Sequence, residues 1–144
     1  MTSTPASPSA HIEQFRVYYG DTDAGGIVYH ARYFELAERC RSEMLRAAGV
    51  PLVGPAGEHY IAHKATIVWM SPAFLDDLLT CETSILSYAG ARLKLRQKFK
   101  NQRDEPLAEI EIDLVSVNAA RRPTRLSKAT LDALSRYMAP ETNP

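Results

Sequence analysis

Cysteine is scarce in this chain, with two in 144 residues. Cys40 and Cys81 stand far apart, and neither has the close Cys or His neighbours that a zinc site needs. A disulfide framework and a structural zinc are therefore excluded, which leaves two free, mostly buried thiols in a reducing compartment. Charge of one sign is lacking too: 17 Lys and Arg face 17 Asp and Glu. Nothing in that balance calls for nucleic acid or an anionic membrane as partner, although a local basic site is still allowed. No apolar run approaches the roughly 20 residues that span a bilayer, so no membrane insertion is expected and the reading is a cytoplasmic protein. Met1 to Ala10 has neither a basic start nor an apolar stretch and reads as a disordered tail. Internal repeats are missing. So is the Gly-x-x-x-x-Gly-Lys spacing of a phosphate loop, which disfavours nucleotide hydrolysis.

The length suits one domain with its own core, placed at 11–138, with 139–144 as a C-terminal tail. Ile12 to Tyr18 reads as a short strand. From Phe34 to Ala48 the residues Phe34, Ala37, Cys40, Met44 and Ala48 recur at helical spacing. Gly49 then stands where a helix end favours a left-handed residue, and Pro51 prevents continuation. Val50 to Glu58 is a loop, and strands follow at Tyr60 to Met70 and Leu79 to Tyr88, separated by a turn around Ser71 to Asp77.

The plainest strand signal is Arg92 to Lys100, where Leu93, Leu95 and Phe99 alternate with basic residues. Leu107 to Asn118 answers it with Ile110, Ile112 and Leu114 set against Glu109, Glu111 and Asp113. Folding the two about Asn101 to Pro106 predicts a register: Leu95 opposite Ile112 and Leu93 opposite Leu114, with Lys94, Arg96 and Lys98 facing Asp113, Glu111 and Glu109. The basic row thus has a structural partner, which still leaves Lys98 or Lys100, near the turn, free to touch the phosphate of a ligand. Val115 and Val117 break the phase, which predicts either a bulge or burial on both faces. Ser127 caps a short terminal helix through Leu131, Leu134 and Met138. One sheet on one helix gives an α+β layer arrangement.

Chemistry concentrates in Tyr18 to Tyr33, where Asp21, Asp23, Gly25, Gly26 and His30 precede the helix. Unpaired N–H groups at a helix N-terminus favour developing negative charge, as on a carbonyl oxygen under attack. An Asp has an ordinary pKa of about 3.9, so it is ionised at neutral pH and able to attack an acyl carbon or activate water. The plainer role is to cap backbone N–H groups in a turn. Gly25 and Gly26 permit positive φ and a close backbone approach to a ligand. Tyr19, Tyr29, Tyr33 and Trp69 read as core or pocket wall. His59 and His63 lie on a loop-to-strand segment, where four-residue spacing does not put them on one face, so no metal site is expected.

The run Tyr-x-Asp-Thr-Asp-x-x-Gly-x-Val-Tyr-His-x-x-Tyr, continued by Glu38-Arg39-Cys40-Arg41 and by Pro72-Ala73-Phe74-Leu75-Asp76-Asp77, resembles the hotdog-fold acyl-CoA thioesterases. The closest resemblance is to the YbgC branch, related to 4-hydroxybenzoyl-CoA thioesterase, and it covers the chain from about His11 to Met138. It implies a hotdog fold, in which an antiparallel sheet of about five strands wraps around one long central helix. Asp23 takes the catalytic position by this resemblance, and Asp21 is left as the turn former. His30 falls where the backbone N–H polarises the thioester carbonyl, its imidazole serving either substrate contact or positioning. Gly25, Gly26, Val28, Tyr29 and Tyr33 form the expected substrate-binding set, while Glu38 and Arg41 are scaffold or interface residues.

Phe74 departs from the Arg that many relatives carry there, which removes whatever contact that Arg makes to a partner subunit or the CoA tail. Asp77 shapes the turn into the third strand. The resemblance further implies an acyl-CoA substrate, no cofactor, and a homo-oligomer, either dimer or tetramer. Acyl carrier protein is a second expected partner, and the Tol-Pal envelope system an expected association. The competing reading is a non-catalytic acyl-CoA or acyl-carrier-protein binding module.

Overall fold

The computed structural model describes residues 9–140. Most of the expected N-terminal tail, and the last four residues of the chain, lie outside that range. Strand β1 (His11–Arg16) leads through a short 3-10 turn, Tyr19–Asp21, and a loop into helix α1 (Arg32–Ala47). Four more strands follow, β2 (His59–Trp69), β3 (Leu78–Ala89), β4 (Arg92–Lys100) and β5 (Pro106–Val117), and then helix α2 (Lys128–Leu134). The sheet is antiparallel throughout, in the order β1-β3-β4-β5-β2. With α1 lying on one face of this sheet, the arrangement is the hotdog fold expected from the resemblance.

The β4–β5 hairpin forms in the expected register. Leu95 pairs with Ile112 and Leu93 with Leu114, while Lys94, Arg96 and Lys98 stand opposite Asp113, Glu111 and Glu109. Contact between charges is looser than the register alone suggests. Lys94 lies 3.9 Å from Asp113, and Arg96 reaches diagonally to Glu109 at 3.7 Å instead of across to Glu111. Partly exposed pairs of this kind contribute at most about 1 kcal/mol. The apolar row does more: Leu93, Leu95, Phe99, Ile110 and Ile112 are all buried against α1, and each such side chain contributes roughly 1.5–3 kcal/mol on burial. No register shift falls at Val115 or Val117. The bulge lies across the pairing, on β2 between Ala62 and Lys64, and Val117 is buried although it lies outside the main core cluster.

Helix α1 ends as expected, with Gly49 at φ 77° and its N–H on the Arg46 carbonyl. A Cβ in that left-handed region would be strained. The buried stripe differs from the periodic reading: Tyr33, Leu36, Ala37, Cys40, Met44 and Leu45 face the core, whereas Phe34 is 37% exposed. The reason is placement. The helix lies over β1 and β3, leaving the flank that carries Phe34 turned toward the uncovered side of the sheet.

Beneath the helix the two sequence-distant cysteines meet. Cys40 Sγ lies 3.0 Å from Thr83 Oγ1 and donates to the Cys81 carbonyl at 3.6 Å. Burial pushes the Cys81 thiol well above the usual range. Gln97, which shares the inner face with Leu95 and Phe99, donates to Ala37 O at 2.8 Å and Thr83 Oγ1 at 2.9 Å. Such bonds are what make a buried amide tolerable.

Candidate active site

The loop before α1 is tied at both ends through Asp21. Its Oδ2 accepts the Tyr18 N–H at 2.9 Å, its carbonyl accepts the Tyr29 N–H at 2.9 Å, and its Oδ1 lies 3.5 Å from Arg32 Nε. Arg32 also donates to the Gly20 carbonyl at 2.8 Å, so the first residue of the helix clamps the loop that precedes it. Asp21 is thus spent on holding the loop, one carboxylate oxygen and the carbonyl on backbone N–H groups and the other oxygen beside Arg32. Tyr19, expected in a wall or core, rides on the outside of this turn at 82% exposed.

Asp23 has a different environment. Its N–H donates to Ile27 O at 2.9 Å and its carbonyl accepts the Gly26 N–H at 3.0 Å, closing a tight turn in which Gly26 adopts φ 83°. Oδ1 accepts the Gly25 N–H at 2.9 Å. A Cβ at Gly25 would stand 3.2 Å from that oxygen, close enough to disturb it. The turn role that the sequence leaves open for this carboxylate therefore engages one oxygen only, and the side chain is exposed.

Val28 is buried and donates to Ala73 O at 2.9 Å, which pins the loop to the turn after β2. One residue pair further on, His30 sits just ahead of α1 with its ring 4.4 Å from Tyr29 and 5.9 Å from Trp69, edge to face with the latter. Its carbonyl accepts the Trp69 indole N–H at 3.2 Å. Among the described residues no group accepts the His30 N–H, which lies one residue ahead of Ala31, the N-cap of α1.

These residues share one open cleft of ≈ 430 Å³ lined by Asp23, Val28, His30 and Tyr33. Tyr29, Gly25 and Gly26 do not line it: the Tyr29 ring turns outward, and the glycines shape the turn behind Asp23. The opposite wall is Trp69 and the segment Met70, Ser71 and Pro72, together with Ile27. Only Trp69 among these was read from the sequence as wall. Ile27 comes from the same loop as Asp23, and Met70, Ser71 and Pro72 follow the end of β2, where the sole local signal was the apolar Trp69-Met70 pair running into Pro72. Phe74 is exposed beside Ile27, and Asp77 accepts the Phe74 N–H at 2.9 Å and a Gln102 amide N–H at 3.0 Å, as a turn former does.

Tyr33 forms the floor. Burial, with a smaller push from the Asp77 carboxylate, raises its phenol to about 12. The fold therefore favours the neutral phenol, and that stabilisation is whole below the ordinary value of 10.0 and is lost as pH rises through about 12. The thermal midpoint of the wild type is expected to fall across this alkaline window, and that of Tyr33→Phe, which cannot ionise, to fall less. Parallel curves would remove Tyr33 as the cause.

The sequence pattern of the thioesterase superfamily matches residues 25–108, which include the second half of this loop, α1 and the cleft's far wall. The chain belongs to the thioesterase superfamily. Within it, the chain is 39% identical over 117 residues to an acyl-CoA thioester hydrolase, YbgC, of Escherichia coli O6:H1, covering 79% of this chain and 87% of that one. A probable thioesterase from Bartonella henselae has a similar structure, with 35% identity, a TM-score of 0.78 and coverage of 82% of this chain and 99% of that one. A Staphylococcus aureus protein solved in complex with CoA shares the fold at a TM-score of 0.86 with 16% identity, covering 99% and 94% of the two chains.

Proposed function

We propose that this thioesterase hydrolyses acyl-CoA thioesters in the cleft between the loop before α1 and the end of β2, with Asp23 as catalytic carboxylate. The observation that carries the reading is that Asp23, whose carboxylate is anchored by Gly25, and His30, whose N–H has no partner among the described residues, line one cavity just ahead of α1. With Oδ1 held by Gly25, Oδ2 is the oxygen presented to the substrate. It either adds to the acyl carbon directly or takes the proton of a water that does so. The His30 N–H receives the developing oxyanion, where one such donor is typically worth ~10²–10³ in turnover. The C–S bond then breaks and CoA leaves as a thiolate; on the direct route water then cleaves the acyl-Asp23 anhydride, releasing the acid and restoring the carboxylate. Because a thiol pKa is about 8.5, that departure needs no strong general acid. His30 and Trp69 flank the acyl group, and Tyr33 closes the pocket beneath it.

A homo-oligomer, dimer or tetramer, belongs to the same reading. β2 is an outermost strand of 11 residues with exposed Ile61, Val68 and Trp69, an edge of the kind that proteins cover. A second copy there would stand beside Trp69 and complete the cleft. The resemblance extends the proposal to a cytoplasmic enzyme associated with the Tol-Pal system, with acyl carrier protein as an alternative acyl donor. No described helix is long and apolar enough to cross a membrane.

Hydrolysis of short, long and aromatic acyl-CoAs, followed by CoA thiol release alongside light-scattering mass, tests the proposal. Turnover of at least one class by an assembled species is expected. Tight binding of a non-hydrolysable thioester analogue without turnover of any acyl-CoA would favour the binding-module reading instead.

A further inference from the structure

Arg32 occupies an adverse place. It is the first residue of α1, where the positive end of the helix disfavours a cation. Its Nε is sealed from solvent and makes no hydrogen bond among the described residues, a second cost. The signature read in the sequence leaves this position open, because Ala31 and Arg32 fill the unspecified places between His30 and Tyr33. Where local rules are broken in this way, a functional site is the usual reason.

The guanidinium gives up Nε to reach backbone. Nη2 donates to the Gly20 carbonyl at 2.8 Å, and Nη1 pairs with Glu35, three residues along the helix. Nε is left 3.5 Å from Asp21 Oδ1, about half an ångström beyond an ordinary N–H···O bond. A side chain placed for charge pairing would satisfy Nε on Asp21 first. This one is placed for the Gly20 carbonyl.

Twelve residues separate Gly20 from Arg32, and the ring of chain closed by their bond contains both Asp23 and His30. Within the ring the loop is a small hairpin. Thr22 bridges Val28, the Tyr29 N–H donates to Asp21 O at 2.9 Å, and the Asp23 N–H donates to Ile27 O at 2.9 Å. Asp23 stands at the turn of this hairpin, and His30 just past its return strand. The return strand runs on into α1 and is pinned by the Val28 N–H on Ala73 O. Arg32 ties the outgoing strand to the same helix start.

We infer that Arg32 is a positioning residue for hydrolysis: by holding the outgoing strand of the hairpin against the start of α1, it sets the Asp23 carboxylate relative to the His30 N–H. Its effect passes through Asp23 and so rests on the hydrolysis proposed above. Arg32 stands outside the cleft lining, so its loss should leave substrate binding alone. A misplacement of about 1 Å costs a reacting group roughly 10²-fold in rate, so a slack of half that size is worth about tenfold.

Steady-state hydrolysis of acetyl-, hexanoyl- and benzoyl-CoA, with full kinetics on the best of the three, tests this. Arg32→Met keeps the stem and should lower kcat about tenfold while KM stays within about twofold. Arg32→Lys keeps the charge but not the planar fork and should lose kcat as well. Added to Asp23→Asn, Arg32→Met should cost nothing further, whereas a merely structural residue would add its loss in both backgrounds. Wild-type kcat in folded Arg32→Met or in Arg32→Lys overturns the inference, as does an undiminished further loss in the Asp23→Asn background. If Arg32→Met fails to fold, Arg32→Lys decides: lower kcat at unchanged KM upholds the role. Wild-type turnover in Asp23→Asn, or no hydrolysis of any of the three by the wild type, brings down the proposed hydrolysis as well. A loss in Asp23→Asn beside wild-type kinetics in Arg32→Met removes the Arg32 role alone.

Discussion

Asp23→Asn is expected to fold like the wild type and to lose about 10²–10⁴ of its kcat/KM on acyl-CoA. The substitution is nearly isosteric at an exposed position, and an Asn Oδ1 still accepts the Gly25 N–H, so the turn around Gly26 keeps its shape. What it removes is Oδ2. An amide nitrogen neither adds to an acyl carbon nor takes a proton from water, and the loss should therefore fall on kcat more than on KM. Circular dichroism and light-scattering mass separate this outcome from misfolding. Full turnover in a correctly folded variant would remove Asp23 from the mechanism and turn attention to the remaining polar groups of the cleft. Asp21→Asn is the informative contrast, since both of that carboxylate's oxygens are committed to the loop, to the Tyr18 N–H and toward Arg32. A loss of activity there would come with a loosened loop.

The largest effect on stability is expected at Phe99. Phe99→Ala should cost about 3–5 kcal/mol, the usual range for removing a buried aromatic side chain. Phe99 is 1% exposed and meets the Tyr33 ring edge to face at 5.2 Å, so the cavity would open under both the helix and the floor of the cleft. Leu93 and Leu95 on the same strand are fixed by pairing with Leu114 and Ile112 and cannot move far to fill it. Urea unfolding checks this: the midpoint should fall while the slope with denaturant stays the same. A loss under about 1 kcal/mol would mean that the core collapses onto the site. Because Tyr33 would lose its support, turnover below the new midpoint should fall as well.

Much of this molecule was determined by short-range patterns that a single chain displays. Alternation in Leu93, Leu95 and Phe99 against Ile110, Ile112 and Leu114 specifies the hairpin register, because a slip of one residue would turn each apolar side chain to water. Gly49 ends α1 for a reason local to its own φ, and the order of Asp21, Asp23, Gly26 and His30 before the helix marks the loop as the place for chemistry. The tertiary structure decided the rest. It put Met70, Ser71 and Pro72 across from Asp23, turned Tyr29 out of the cleft, set Cys40 of α1 against Thr83 and the Cys81 carbonyl of β3, and left Phe34 on an open flank. Helical spacing states that Phe34 and Ala37 lie on related faces, but which face is covered depends on where the helix rests across a sheet whose strands are distant in the chain. Here it rests on β1 and β3, and the uncovered strip beside β2 is the consequence.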